Sequence, residues 1–341
     1  MKIMPREWRP SFAGSWYPAD PAELQRLTDP YLESSEVDAG ADPAHAATEV
    51  AGPTVLVLPH AGLMFSVRGQ MAAWRRISAS RARAFDLVLV IAPTHYDYIP
   101  DRVAIGARFD RYRVIPHAFP GAALLFGTTE SHETVAREHA VELMLPVASQ
   151  RLGELRSAMS RGVPFEETDL PQLAAVVLGA IGSRESAAAV ARRIAEDLTA
   201  TTDPARTLIL VSSDFTHYGP RFGYTPFGMV GSTVGASGAG TLAAVREHDL
   251  AIAEAAAVRD IDRYWELITA REVTICGRFA IAVALEMLEE LSGRSGAAGD
   301  AAALSTGRVL DYYTSLDTVG GRRRERDFVC YATIGFGVGD G

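Results

Sequence analysis

Residues 54–62 of the chain read TVLVLPHAG, an uninterrupted apolar run that ends at a proline-histidine corner. Short continuous runs of this kind predict a strand buried on both faces, as in a sheet flanked by helices. Two further stretches repeat the pattern, since residues 87–95 read LVLVIAPTH and residues 208–217 read LILVSSDFTH. Ligands collect at the carboxyl ends of strands in such sheets, so the polar residues after these runs are candidates for an active site.

Helix-like stretches alternate with these strands along the chain. The helical candidates are Pro21 to Leu32, Gln70 to Ser80, Glu133 to Gln150, Glu185 to Leu198, Thr241 to Ala256, Ile261 to Thr269 and Arg278 to Leu291. Further strands are expected at Ala174 to Leu178, Leu310 to Tyr313 and Phe328 to Ile334. The alternation predicts an α/β protein: a three-layer sandwich with a largely parallel or mixed central sheet.

Composition indicates an ordinary globular protein. The 341 residues include 48% hydrophobic and 22% charged ones, the net charge is −9 and the pI is about 5.4. An acidic chain without a basic stripe argues against a nucleic-acid partner. No apolar run approaches the ~20 residues that span a membrane, and the charged, proline-containing N-terminus does not predict a secretory signal. Two cysteines predict no disulfide framework, so a cytoplasmic location is expected.

We expect a single α/β domain over residues 1–341. Residues 34–53 and 292–306 are rich in small and polar residues and predict surface loops. Neither is predicted to be an interdomain linker, because candidate site residues and strands lie on both sides of each. Nothing in the sequence sets the oligomeric state.

His60 and His95 are the first candidate ligands. A single histidine after a strand is usually a hydrogen-bonded loop residue. Here, however, both follow proline corners at strand ends, where Pro59 and Pro93 restrict the backbone and should end ladder pairing. We therefore favour a shared metal site over two structural histidines.

Asp214 and His217 have two interpretations that the residues alone leave open. Asp214 could be a helix N-cap, a role that needs no function. Alternatively, its carboxylate could fix the tautomer of His217, which general acid/base catalysis requires.

Cys276 precedes Gly277 and a predicted helix, whose N-terminus would stabilise the thiolate that binds metal. A small buried cysteine is the common alternative. That alternative suits Cys330, which lies inside a predicted strand, and we assign Cys330 no role.

Six motifs in register together resemble the Memo family, whose bacterial members are named AmmeMemoRadiSam system protein B. They are RPSFAGSWYP at 9–18, PHAG at 59–62, REHAVE at 137–142, SSDFTHY at 212–218, ICGR at 275–278 and YYTS at 312–315. The matches cover nearly the whole chain. The resemblance implies a fold related to class III extradiol dioxygenases, with additional residues near 34–53, 153–171 and 230–240.

The resemblance also implies roles for individual residues. His60, His95 and Cys276 would hold one metal ion, with His217 as acid/base and Asp214 beside it. Four further residues complete the candidate substrate-binding set: Trp16, Tyr96, His139 and Glu142. His139 and Glu142, one helical turn apart, are equally consistent with a structural pair.

Departures from the family pattern lie around the pocket. Leu63 replaces the tyrosine that usually follows His-Ala-Gly, Thr94 replaces an asparagine, and the usual Thr-Pro-Leu-Gly segment becomes IPHA at 115–118. They predict a retained metal site with a changed pocket wall, and therefore a different substrate from that of better-known relatives.

The relation to dioxygenases favours Fe(II), whereas a thiolate ligand softens the site toward copper or zinc. The leading hypothesis is an Fe(II) oxidoreductase that acts on a small-molecule substrate with O₂. A zinc hydrolase with the same ligands and a non-catalytic metal- or peptide-binding module are the alternatives.

Overall fold

A computed structural model describes residues 6–33, 53–158, 165–228, 238–270, 272–294, 306–318 and 326–338. The α-helices are α1 Pro21–Thr28, α2 Pro30–Glu33, α3 Leu63–Trp74, α4 Ala79–Ala84, α5 His132–Arg137, α6 His139–Glu142, α7 Leu145–Ser157, α8 Arg184–Thr201, α9 Gly238–Ala257, α10 Ile261–Ala270, α11 Arg278–Arg294 and α12 Ser315–Thr318. The β-strands are β1 Glu7–Trp8, β2 Thr54–Leu58, β3 Leu87–Pro93, β4 Ala104–Gly106, β5 Arg111–Tyr112, β6 Phe119–Pro120, β7 Thr129–Glu130, β8 Gln172–Leu178, β9 Thr207–Ser212, β10 His217–Tyr218, β11 Arg308–Thr314 and β12 Phe328–Phe336.

The main sheet is mixed, with a parallel centre. Its order is β10-β12-β2-β9-β3-β8-β4-β7, and β11 pairs with β12 outside that path. Strands β2, β9, β3 and β8 run parallel, whereas β12 and β4 flank them antiparallel. A separate three-stranded sheet consists of β1, β5 and β6. The predicted α/β architecture with a largely parallel or mixed sheet is therefore confirmed.

Alternation along the central strands divides the core into two layers. Val55 and Val57 of β2 point into one apolar cluster, which contains the buried faces of α8 to α11. Leu56 and Leu58 point into the other, with residues of α1, α3 and α7. Helices therefore cover both faces of the sheet, which explains why apolar residues occupy most successive positions of its central strands.

Several predicted helices differ in their bounds. The first is interrupted before Pro30, because proline lacks the N–H that a helix interior requires. The predicted helix Glu133 to Gln150 is three helices, since Glu138 is extended and a new helix, α7, begins at Leu145 with Pro146 in its first turn. Helix α3 begins at Leu63, well before the predicted Gln70, and packs so closely on the sheet that a Cβ on Gly69 would lie 2.7 Å from Thr333 Oγ1.

Ladder pairing does not end before Pro93, contrary to the prediction. Strand β3 includes Pro93, and the N–H of Thr94 donates to the Leu178 carbonyl at 2.8 Å. Pairing between two strands can continue past a proline when the ladder does not use an N–H group at that position. The main chain directly before His95 is consequently bonded to β8.

The predicted loop insertions fall largely outside the described residues. This applies to residues 34–52, 159–164, 230–237 and 295–305. Within the described parts, residues 153–157 belong to α7 and residues 292–294 end α11. Helices of the described segments are all too short or too polar to cross a membrane.

Candidate metal centre

Three predicted ligands from distant parts of the chain meet at the carboxyl edge of the parallel strands. His60 follows β2, His95 follows β3, and Cys276 precedes α11. One ligand atom of each residue lies within 4.8 Å of the other two. The His60 Nε2 and Cys276 Sγ atoms are 3.2 Å apart. One ion with ligand distances of about 2.0–2.3 Å could contact all three atoms.

The orientation of His60 follows from its hydrogen bond to Ser212. The Ser212 hydroxyl donates its one proton to the Ala140 carbonyl at 2.7 Å, so it accepts from His60 Nδ1–H, also at 2.7 Å. The unprotonated Nε2 then faces Cys276. Burial, followed by the charges of His95 and His217, lowers the pKa of His60 and keeps the ring neutral. A neutral imidazole with a free Nε2 is the form that binds metal.

Glu138 orients His95, although Glu138 was not among the predicted site residues. One carboxylate oxygen accepts from the His95 ring Nδ1–H at 2.9 Å, and the other accepts from the His95 main-chain N–H at 2.7 Å. This pairing leaves His95 Nε2 available to a cation. A carboxylate behind a metal-binding histidine is a recurrent arrangement that fixes the ring and raises its basicity. An acid directly before His139 in the REHAVE motif was the available signal.

Cys276 is held close to the end of β9. The main-chain N–H of Asp214 donates to its Sγ atom at 3.2 Å. Burial, and then the charge of Asp214, raises the pKa of the thiol, so a compensating positive charge is needed to form the thiolate. The contact depends on Gly277, because a Cβ there would lie 2.3 Å from the Ser212 carbonyl oxygen.

Asp214 fastens the loop that carries His60. Its Oδ1 accepts from the main-chain N–H of His60 at 2.8 Å and of Ala61 at 3.2 Å. The helix N-cap interpretation is wrong, because the segment after Asp214 pairs with β12, where the Phe215 N–H donates to the Cys330 carbonyl. Burial raises the pKa of the Asp214 carboxyl, and the charge of His217 opposes that effect.

Main-chain groups, rather than the Asp214 carboxylate, orient His217. Its ring Nδ1 lies 3.0 Å from both the Phe215 and the Thr274 carbonyl oxygens, which can only accept. Nδ1 therefore carries the proton and Nε2 is free to accept another. The ring packs edge-on against Phe222, with centroids 5.2 Å apart.

His139 adds a third imidazole and contacts two predicted wall residues. Its ring centroid is 4.2 Å from that of His95 and 4.9 Å from that of Trp16. The Tyr96 hydroxyl lies 2.9 Å from His139 Nδ1. Burial, and then the charges of His60 and His95, lowers the pKa of His139 to about 3. Trp16 and Tyr96 are 38% and 43% exposed, so both border the open side of the site.

Glu142 points away from the imidazoles. Its carboxylate accepts from the main-chain N–H groups of Ser11 and Phe12, both at 2.8 Å, and from the Tyr17 hydroxyl at 2.9 Å. These bonds tie down the N-terminal segment that carries Trp16. No hydrogen bond joins Glu142 to His139 among the described residues, and the substrate-binding role of Glu142 stays a prediction.

The donor set fits a metal ion, and the His60, His95 and Cys276 combination fits best. A second cluster, His95, Glu138 and His139, also has ligand atoms within 4.8 Å. However, the Glu138 oxygens already accept N–H bonds from His95 and from Ala140. In the first cluster both Nδ1 atoms are committed to protein acceptors, which leaves two Nε2 lone pairs and one sulfur.

Comparison with known proteins identifies the family of this chain. The family model described as Memo-like protein matches residues 8–109 and 126–334. The chain belongs to the Memo-like family. The resemblance inferred from the six motifs is thus confirmed. The matched ranges exclude residues 110–125, which contain the IPHA departure at 115–118.

Three relatives illustrate the similarity. MEMO1 family protein Ta0237 of Thermoplasma acidophilum is 24% identical over 84% of this chain and 88% of its own length. MEMO1 family protein MHO1 of Saccharomyces cerevisiae is 24% identical over 64% of this chain and 61% of its own. Protein MEMO1 of Rattus norvegicus is 27% identical over 63% and 64%.

Proposed function

We propose that this Memo-like protein is a metal-dependent oxidoreductase. His60, His95 and Cys276 would hold one Fe(II) ion, and O₂ would react with a small aromatic or heterocyclic substrate. The observation that carries the proposal is the convergence of three ligand atoms within 4.8 Å of one another. The resemblance to class III extradiol dioxygenases favours iron. A reducing compartment such as the cytoplasm would keep the Cys276 thiol available.

Fe(II) would supply open coordination positions and electrons for O₂ activation. The residues of the chain would bind the substrate and move its proton. His217 would accept the proton at Nε2, since Nδ1–H is committed to main-chain carbonyls. Asp214 would hold the His60 loop in place through the two main-chain N–H bonds that its carboxylate accepts.

Exposed aromatic rings support a flat, apolar substrate. Trp16 contacts His139, Phe222 contacts His217, and Tyr96 lies 6.4 Å from His95 between ring centroids. Each of these aromatic side chains is more than a third exposed. Rings placed beside catalytic imidazoles would pack against an aromatic ligand and shield it from water.

Oxygen consumption provides the test. The protein is reconstituted anaerobically with Fe(II), and O₂ uptake is measured across catechol-like and heterocyclic compounds. We expect Fe(II)-dependent uptake that His217→Gln lowers about 10²- to 10⁴-fold without loss of iron, because proton transfer is removed. His132→Gln is the control, since His132 bonds the Arg108 carbonyl and lies outside the site. Full uptake by His217→Gln would refute the acid/base role, and a panel without any Fe(II)-dependent uptake would refute the oxidoreductase.

A zinc hydrolase is the second candidate, favoured by the thiolate donor. Two imidazoles and a thiolate with one open position form a donor set that suits catalytic zinc. Metal analysis of protein produced without added metals distinguishes the two enzymes. Stoichiometric zinc with hydrolytic turnover would favour the hydrolase, whereas metal binding without turnover in either assay would indicate a binding module.

A further inference from the structure

Tyr331 of β12 neighbours the segment that carries Asp214, although none of the motifs includes it. Its neighbour Cys330 exchanges main-chain hydrogen bonds with Phe215 and Thr216, directly after Asp214. β2 and this segment share one edge of β12, because β11 occupies the other edge. Phe215 and Thr216 both pair with Cys330, so the next residue along the strand, Tyr331, lies beside Asp214, whose carboxylate accepts from the main-chain N–H of His60.

The side chain of Tyr331 points toward the α3 layer of the protein. Cys330 interacts with Asp249 of α9, so the next residue along the strand projects to the opposite face. There the Tyr331 ring packs on that of Tyr313, with centroids 4.9 Å apart. The hydroxyl of Tyr313 contacts Phe65 and Gly69 in the first turns of α3, which begins just after the His60 loop.

The hydroxyl of Tyr331 has no hydrogen-bond partner among the described residues, although the residue is only 1% exposed. Three other buried tyrosines do have partners: the hydroxyls of Tyr17, Tyr264 and Tyr313 donate to Glu142, Arg278 and Phe65. An unsatisfied buried hydroxyl costs free energy. The Tyr112 oxygen also lacks a partner, but it is fully occluded. The Tyr331 oxygen is not fully occluded, so it borders open space.

Two groups of the candidate metal centre, Asp214 and Cys276, contribute to the pKa of this hydroxyl. Burial, and then the charges of Asp214, Tyr313, Cys330 and Cys276, raises the pKa of Tyr331. The group is therefore protonated at neutral pH and can donate a hydrogen bond. Asp214 has already committed one oxygen to the His60 loop, and Cys276 belongs to the candidate ligand set.

We propose that Tyr331 is a ligand-contacting residue of the metal centre, whose hydroxyl donates a hydrogen bond to an anionic atom of the molecule bound beside the metal. This assignment rests on the proposed metal site. It gives a hydrogen-bond partner to a buried hydroxyl that is otherwise unsatisfied. It also predicts that bound molecules present a negatively charged oxygen or nitrogen on the Tyr331 side, as an ionised phenol would.

The test is azide binding to the Co(II)-loaded protein, followed by visible absorption. Azide is an anion that binds metals and accepts hydrogen bonds. We expect Tyr331→Phe to bind Co(II) with unchanged stoichiometry and to unfold at an unchanged urea midpoint, because no protein hydrogen bond is lost. Its azide affinity should fall about tenfold or more, since hydrogen bonds to charged groups contribute that much.

Tyr313→Phe is the matched control on the adjacent strand. It removes a hydroxyl that bonds the Phe65 carbonyl at 2.8 Å and the Gly69 N–H at 3.1 Å. We expect a lower urea midpoint and unchanged azide affinity. Wild-type azide affinity in Tyr331→Phe, or a fall in its urea midpoint as large as in the control, would overturn the assignment. Failure of the wild-type protein to bind Co(II) would overturn the proposed metal site as well.

Discussion

Glu138 shows how one buried carboxylate can organise a site. It is 2% exposed and accepts three N–H bonds, two from His95 and one from Ala140. These bonds satisfy the charge and fix both the main chain and the ring of His95. Ser212 performs the corresponding task for His60 through a hydroxyl. The two candidate imidazole ligands are thus oriented by different chemistry.

Replacing Glu138 with Gln should weaken metal binding. The amide cannot accept at both positions, so His95 loses its fixed tautomer, and affinity should fall about 10- to 100-fold. A chelator competition titration with Co(II) or Zn(II) measures the change. Glu142→Gln is the control, because Glu142 bonds Ser11, Phe12 and Tyr17 instead of a histidine. Equal losses in the two variants would contradict the orienting role.

At the scale of secondary structure, the junction between β9 and α11 positions the sulfur atom of Cys276. Helix α11 packs on β3 and β9, and its first turn approaches the Ser212-Ser213 main chain through Gly277. The Gly277 N–H donates to the Ser213 hydroxyl at 3.2 Å. Cys276 can reach His60 only because this approach is so close.

Gly277→Ala should therefore disturb the site and the fold together. The added Cβ would lie 2.3 Å from the Ser212 oxygen and 2.4 Å from the Ser213 Cβ, so the helix start must shift. We expect a loss of about 1–3 kcal/mol in the free energy of unfolding, measured in urea, together with weaker metal binding. Gly293→Ala in the same helix meets no atom within 4 Å and should instead stabilise by up to about 1 kcal/mol. A neutral Gly277→Ala would show that the junction is not tight.

At the scale of the whole molecule, Asp249 joins α9 to the C-terminal strands behind the site. Its carboxylate accepts from the Thr216 hydroxyl at 2.6 Å and from the Tyr312 hydroxyl at 3.0 Å. The residue is fully buried, and burial raises the pKa of its carboxyl to about 6. The hydrogen bonds from Thr216 and Tyr312 oppose this effect. Thr216 lies next to His217, so the cluster also supports the segment of the candidate acid/base.

Stability should depend on pH through Asp249. The folded protein holds this proton up to about pH 6, whereas the ordinary pKa is 3.8, so stability falls as pH rises between these values. The contribution is about 3 kcal/mol at most. Urea unfolding at pH 4, 5 and 6 should show that Asp249→Asn has a shallower fall than the wild type. Comparison with the wild type removes the effects of Asp214 and Glu142, whose pKa values burial also raises. Identical pH slopes would contradict the assignment.

Local sequence patterns predicted the three central strands and the residues that follow them. The strands that precede His60, His95 and Asp214 are apolar at most successive positions because helices cover both faces of the sheet. Boundaries were less predictable where a tertiary contact overrides propensity, as at Gly69 in α3 and at extended Glu138. The six motifs predicted the family, which the comparisons confirm.

The sequence by itself determined the α/β architecture and brought His60, His95 and Cys276 forward as candidate ligands, because strand ends and motifs are local features. Only the tertiary structure decided what surrounds them. The surrounding residues are distant in sequence from the groups that they neighbour: Glu138, Ser212 and Tyr331. A carboxylate or hydroxyl can cap a helix, orient a side chain or bind a ligand, depending on which group lies next to it. Hydrogen bonds are short and directional, so the role of each group depended on the packing of segments that are distant in sequence.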